Sequence, residues 1–156
     1  MYGILQIGGE DYKVEYSFEA ALYKDCVGTV MEVMTLLTGN NDKDVILGLS
    51  DLPTSTVKIL YAGLLEHHGI EGDGKVTSLA DAKRLTKQWI LEQGEDGSFY
   101  DLLLKLTEQM GEDGFFKRIG LDKIFMTEEE EEEIMPKPTV APQDHKPKQR
   151  KKTTAK

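Results

Sequence analysis

The segment Gly69-Ile70-Glu71-Gly72-Asp73-Gly74-Lys75 comes nearest to a chemical motif in residue type and spacing. It fits G-x-x-x-x-G-K, in which backbone N–H groups wrap the phosphates of a nucleotide and the lysine reaches the terminal ones. That chemistry also needs Ser or Thr after the lysine to hold Mg²⁺, and a strand leading into the loop. Here the next residue is Val76, the preceding pattern is helical, and Glu71 and Asp73 repel phosphate. Nucleotide binding through residues 69–75 is therefore kept only as an alternative, one that requires affinity lost on Lys75→Ala.

The other reactive residues read as structural. His67 and His68 are adjacent, so on a helix they point about 100° apart and cannot share an ion as i, i+4 ligands do. At a helix end they read as cations that complement the dipole. Cys26 is the only cysteine and lies in the apolar, helix-like run Leu22-Tyr23-Lys24-Asp25-Cys26-Val27-Gly28, with no His or Asn in a recognisable frame. It reads as a small buried hydrophobe in a reducing compartment. Asp73-Gly74, Asp96-Gly97 and Asp113-Gly114 lack the spacing of a calcium loop and read as turns. No carboxylate pair can be singled out as general acid and base. The reading is of a non-enzymatic protein with no cofactor, no metal site and no catalytic residue.

The elements that would position these residues begin with a hairpin. Tyr2-Gly3-Ile4-Leu5-Gln6-Ile7 and Tyr12-Lys13-Val14-Glu15-Tyr16 nearly alternate apolar and polar residues, with Gly8-Gly9-Glu10-Asp11 as the turn. Ser17 is an N-cap candidate for a helix carrying Phe18, Ala21, Leu22 and Cys26 up to Gly28. A second helix spans 29–38 and stops at Gly39-Asn40-Asn41. Residues 44–49 are short and apolar, and Ser50-Asp51-Leu52-Pro53 reads as the capping start of a helix over 53–68, with Val57, Leu60, Tyr61, Leu64 and Leu65 as its stripe. Gly63 within it predicts close packing by another element. Thr77 or Ser78 caps a helix through Leu79, Ala82, Leu85, Trp89 and Ile90. Two echoes of Gly-Glu-Asp-Gly, at 94–97 and 111–114, each precede a further helix, the second a shorter one ending at Gly120. The fold class is α+β, mainly α: a β-hairpin followed by about five to six helices.

Charge divides the chain into parts. Residues 1–127 carry 12 Lys+Arg against 21 Asp+Glu; residues 128–133 are six glutamates; residues 134–156 carry 7 Lys+Arg against one Asp. The first part is one domain and residues 128–156 read as a disordered acidic-then-basic tail, rich in proline and poor in large apolar residues. An acidic body repels nucleic acid and membrane surfaces, and Lys146-Pro147-Lys148-Gln149-Arg150-Lys151-Lys152 has no interleaved aromatic for base stacking. No apolar run approaches the ~20 residues needed to span a bilayer, and the start carries no secretory pattern. Nucleic-acid and membrane roles are thereby disfavoured.

The order of elements resembles that of tail assembly chaperones of long-tailed, siphovirus-type bacteriophages of Gram-positive hosts. The resemblance covers about residues 1–125. It rests on Ile7-Gly8-Gly9-Glu10-Asp11-Tyr12-Lys13-Val14-Glu15-Tyr16-Ser17-Phe18-Glu19-Ala20, then a helix, then Leu60-Tyr61-Ala62-Gly63-Leu64-Leu65-Glu66-His67-His68, then a further helix around Ala82. It implies a protein that binds and coats the tape measure protein, keeps it soluble and is displaced by major tail (tube) protein. It also implies self-association, a place in the host cytoplasm and absence from the mature virion. Many such chaperones have a longer form made by ribosomal frameshifting, for which an A-rich codon run at Lys151-Lys152 is a candidate. Met31, Met34 and Met110 suit adaptable helix binding, though such stripes are also ordinary core. The contact residues are unknown at this level. A head–tail connector or tail-completion protein is the alternative of similar size.

Overall fold

The computed structural model describes residues 1–124. Strands β1 (Gly3–Ile7) and β2 (Glu10–Val14) pair antiparallel, with Gly3 opposite Val14 and Ile7 opposite Glu10. The turn is tighter than its composition suggested. Gly8 and Gly9 alone make it, at φ 62° and 77°, and two consecutive positive φ angles match the right-handed twist of the strands. Glu10 and Asp11, expected in the turn, belong to β2. Ile7 and Val14 are buried, Leu5 and Tyr12 pack against the core, and Ile4 faces outward.

Helices α1 (Phe18–Leu22) and α2 (Lys24–Leu37) divide at Tyr23, whose extended backbone interrupts the helix. The expected boundary at Gly28 is absent, since that glycine lies inside α2. Cys26, Val30 and Val33 fall at i, i+4 and i+7 and are all buried, so the apolar face runs through the glycine. Ser17 stands at the N-cap position without capping through its side chain. Its hydroxyl donates to Glu66 Oε2 instead.

The long helix α3 (Asp42–His68) holds the fold together. Asn41 caps it, its side-chain oxygen accepting the Lys43 N–H at 3.0 Å. Pro53, expected at a helix start, sits inside α3, and Ser50 donates back to the Ile46 carbonyl at 2.9 Å. Proline cannot donate to the carbonyl four residues earlier. That carbonyl belongs to Leu49, whose side chain is 52% exposed, on a side of the helix that solvent reaches. The anticipated 53–68 helix is thus the second half of a longer one.

Helix α4 (Leu79–Glu92) is capped by Ser78, with Asp81 reaching back to the Thr77 N–H at 3.0 Å. A single 3-10 turn (Gly94–Asp96) leads to α5 (Phe99–Glu112), capped by Ser98. Helices α6 (Phe115–Arg118) and α7 (Leu121–Ile124) are single turns. With these the described residues contain seven α-helices, where five to six were expected. The second of the two Gly-Glu-Asp-Gly echoes starts a four-residue helix, the shorter one expected there.

The core is built around α3. Ile59, Leu60 and Leu64 meet Tyr16 from the hairpin's exit, Leu85 and Trp89 from α4, and Leu102, Leu106 and Met110 from α5. The closest approach is at Gly63. Its carbonyl accepts the Glu15 N–H at 2.9 Å, and a Cβ there would stand 2.7 Å from Val14 and 2.8 Å from the Tyr16 ring. The close packing expected at this glycine is by the second strand. Met110 is fully buried core, whereas Met34 is exposed. Among the described residues no helix is long and apolar enough to cross a membrane. The tail read from 128–156, with its frameshift candidate, lies outside the described residues.

Candidate functional site

The glycine-rich segment closes the C-terminus of α3. Gly69 N–H bonds the Leu65 carbonyl, Asp73 N–H that of His67, Gly74 N–H that of Gly69, and Val76 N–H that of His68 at 2.8 Å. The Gly72 amide is held by Gly69, and the Lys75 amide by the Asp73 carboxylate at 3.0 Å. Six amides that a phosphate cradle would have to offer are thus spent on the protein itself. The loop also sits at a helix C-terminus, where the dipole is negative and disfavours anions. Lys75 folds back onto Glu10 at 3.3 Å and lies over the Tyr12 ring. The Glu10 carboxylate raises its pKa.

The two histidines separate, as their spacing requires. His67 Nε2 meets Glu15 Oε2 at 2.7 Å. His68 is buried, with Nδ1 2.8 Å from Asp73 Oδ2 and Nε2 accepting the Lys13 N–H at 2.9 Å. One ring nitrogen accepts and the other donates, so the bonding pattern requires the neutral imidazole protonated on Nδ1. The reading of both histidines as cations is corrected for His68. A protonated ring would lose the β2 bond. Burial works to raise the pKa of Asp73, but the Lys75 N–H and the His68 hydrogen bond outweigh it and hold the carboxyl below its ordinary value.

Cys26 is fully buried, and loss of solvation pushes its thiol up to about 12. Asp113 is more than the turn residue expected: its buried carboxylate accepts the Tyr16 N–H at 2.8 Å and the Gln109 amide at 2.9 Å. It ties the end of α5 to the residue where the hairpin passes into α1. Nothing local in sequence marks this contact, which joins positions 97 residues apart. Among the described residues no group of three or more His, Cys, Asp or Glu could hold a metal ion.

Two places leave apolar side chains open to solvent. On α2 and the first half of α3, Met34, Ile46, Leu47 and Leu49 are between 45% and 62% exposed. Between α3, α4 and the start of α5 runs a groove of about 480 Å³, lined by Pro53, Thr54, Val57 and Lys58, by Leu79, Ala80, Lys83 and Lys87, and by Phe99. Sequence reading missed it because its walls come from three separate helices. The only sequence trace is the i, i+4 spacing of Lys83 and Lys87. Comparison with family models, with curated proteins and with solved structures gave no match.

Proposed function

We propose that this chain is a tail assembly chaperone of long-tailed bacteriophages, acting in the host cytoplasm. In this reading it binds and coats the tape measure protein, keeps it soluble and helps recruit tube subunits. The carrying observation is a pair of large apolar side chains left in solvent on one face of α3, Ile46 and Leu49, three residues apart and each more than half exposed, with Leu47 and Met34 of α2 exposed as well. Clustered exposed apolar groups of this kind mark surfaces that bind other chains. The hairpin-then-helices order supports the same reading through its resemblance to that family. The work needs no bond-making chemistry. Helical apolar surface on a soluble acidic body can hold an apolar helical rod and still release it when tube subunits compete.

Co-expression with a candidate tape measure protein tests the proposal. The expected result is soluble tape measure protein that co-purifies with this chain, and less of it with Ile46→Asp/Leu49→Asp. A tape measure protein that stays insoluble would overturn it. Stoichiometric recovery of the chain in purified virions would instead favour a connector or tail-completion role.

A further inference from the structure

We infer that the groove between α3, α4 and α5 is a docking site for an amphipathic helix of a partner protein, with carboxylates flanking that helix's apolar stripe. The inference rests on the proposed function only in expecting a helical partner. Its physical basis is the lining. Val57, Leu79 and Phe99 form an apolar floor, Leu79 being 38% exposed. Lys58 stands on the α3 side, with Lys83 and Lys87 on the α4 side. No carboxylate lines the groove, although the chain as a whole carries −9. None of the three lysines forms an ion pair among the described residues.

Spacing gives the occupant its form. Lys83 and Lys87 lie about one helical turn apart along α4, roughly 6 Å. Carboxylates at i and i+4 of a helix laid along the groove have the same repeat, so one face of the ligand can meet both. The lysine stems extend the apolar wall while their ammonium groups stay in water. Charge at such a rim sets orientation and rate of encounter, and the floor supplies most of the affinity. A nucleic-acid strand would gain three cations and a single aromatic against an acidic body, a poor exchange.

The probes are three synthetic helical peptides that share one leucine stripe and differ only in flanking residues: Glu, Gln or Lys. Binding to the full chain is followed by fluorescence anisotropy at two salt concentrations. The expected order of affinity is Glu over Gln over Lys, with a gap that narrows in high salt. Lys83→Glu/Lys87→Glu, both on exposed positions, should weaken the Glu peptide about tenfold and reverse the preference. A photo-cross-linker in the leucine stripe should label the wall around Val57 and Phe99. Equal binding of the Glu and Lys peptides, labelling elsewhere, or lysine-dependent binding of a fatty acid or of single-stranded DNA in preference to the Glu peptide would each overturn the inference. The two assays separate this inference from the proposed function. If the wild type solubilises a tape measure protein while the Glu and Lys peptides bind equally, the groove assignment fails and the function stands. If the wild type fails to solubilise while the peptide preference holds, the function fails and the groove stands.

Discussion

Two glycines inside helices should respond to the same substitution with opposite signs. At Gly63 a methyl group would stand 2.7 Å from Val14 Cγ1 and 2.8 Å from Tyr16 Cζ, whereas comfortable carbon contacts lie near ~3.5–4.0 Å. Both neighbours are buried, and the Tyr16 hydroxyl is fixed by donation to the Ile59 carbonyl at 2.9 Å. The strand must therefore retreat by about an ångström, straining the 2.9 Å bond from Glu15 N–H to the Gly63 carbonyl. Overpacking of this kind costs about 1–3 kcal/mol, and weakening of the attached hydrogen bonds adds about 1 kcal/mol. Alanine's better helix propensity returns about 1 kcal/mol. Gly63→Ala should thus destabilise by about 1–3 kcal/mol, lowering Tm by roughly 3–6 °C per kcal/mol for a body of this size. At Gly28, inside α2, nothing lies within 4 Å of the added Cβ, so Gly28→Ala should stabilise by about 0.5–1 kcal/mol. Urea unfolding followed by far-ultraviolet circular dichroism measures both. A Gly63→Ala protein as stable as the wild type, or the two variants moving in the same direction, would refute the packing argument.

Three further outcomes follow from the contacts described. Asp113→Ala leaves the buried Tyr16 N–H without its acceptor and should cost about 1–3 kcal/mol in the same unfolding assay. Asp73 has its folded pKa below the unfolded value, so the stability it contributes is present above the ordinary carboxylate range and fades as pH falls through the folded pKa. Asp73→Asn should accordingly be less stable than the wild type at neutral pH, with the gap closing in acid; a constant gap would place the effect in packing instead. Cys26, buried with its thiol pushed up to about 12, should not react with Ellman's reagent at pH 8 in the native protein and should react fully in denaturant.

Local pattern carried much of the fold. The hairpin could be read because Gly8-Gly9 separates two alternating runs. The helix after Ser78 could be read from its cap and the apolar run Leu79, Ala82, Leu85, Trp89 and Ile90, and the next from the Gly94–Gly97 turn before it; the structure adds that Ser78 and Ser98 cap them by accepting the Asp81 and Asp101 N–H groups. Gly28 and Pro53 misled for a shared reason: each disfavours a helix locally, by about 1 and 3 kcal/mol, and each sits in a stretch where packing decides. Around Gly28 the buried Cys26, Val30 and Val33 keep the helix continuous, and around Pro53 the buried Gly48, Leu52 and Thr56 do so. The candidate site was less legible. The glycine-rich loop could be doubted from Val76 and its acidic residues, but the tautomer of His68 depends on Lys13, 55 residues away. The lysine-rimmed groove depends on the register of three helices, which no short window of sequence contains.

The hairpin is fastened by residues synthesised long after it. Gly8 is held by Glu92, Lys13 by His68 and Tyr16 by Asp113. A nascent chain emerging from the ribosome at about 5–20 residues per second must expose its strand pair for several seconds before the last of these anchors appears. Until α3 and α4 emerge, Ile7 and Val14 lack the helices that pack on their strands, and a lone two-stranded ribbon is marginal in water. Completion of the hairpin's anchorage is in effect timed by the arrival of Asp113 and of Phe115, whose ring packs against Tyr16, and a ribosome stalled before that point would display an unfinished edge.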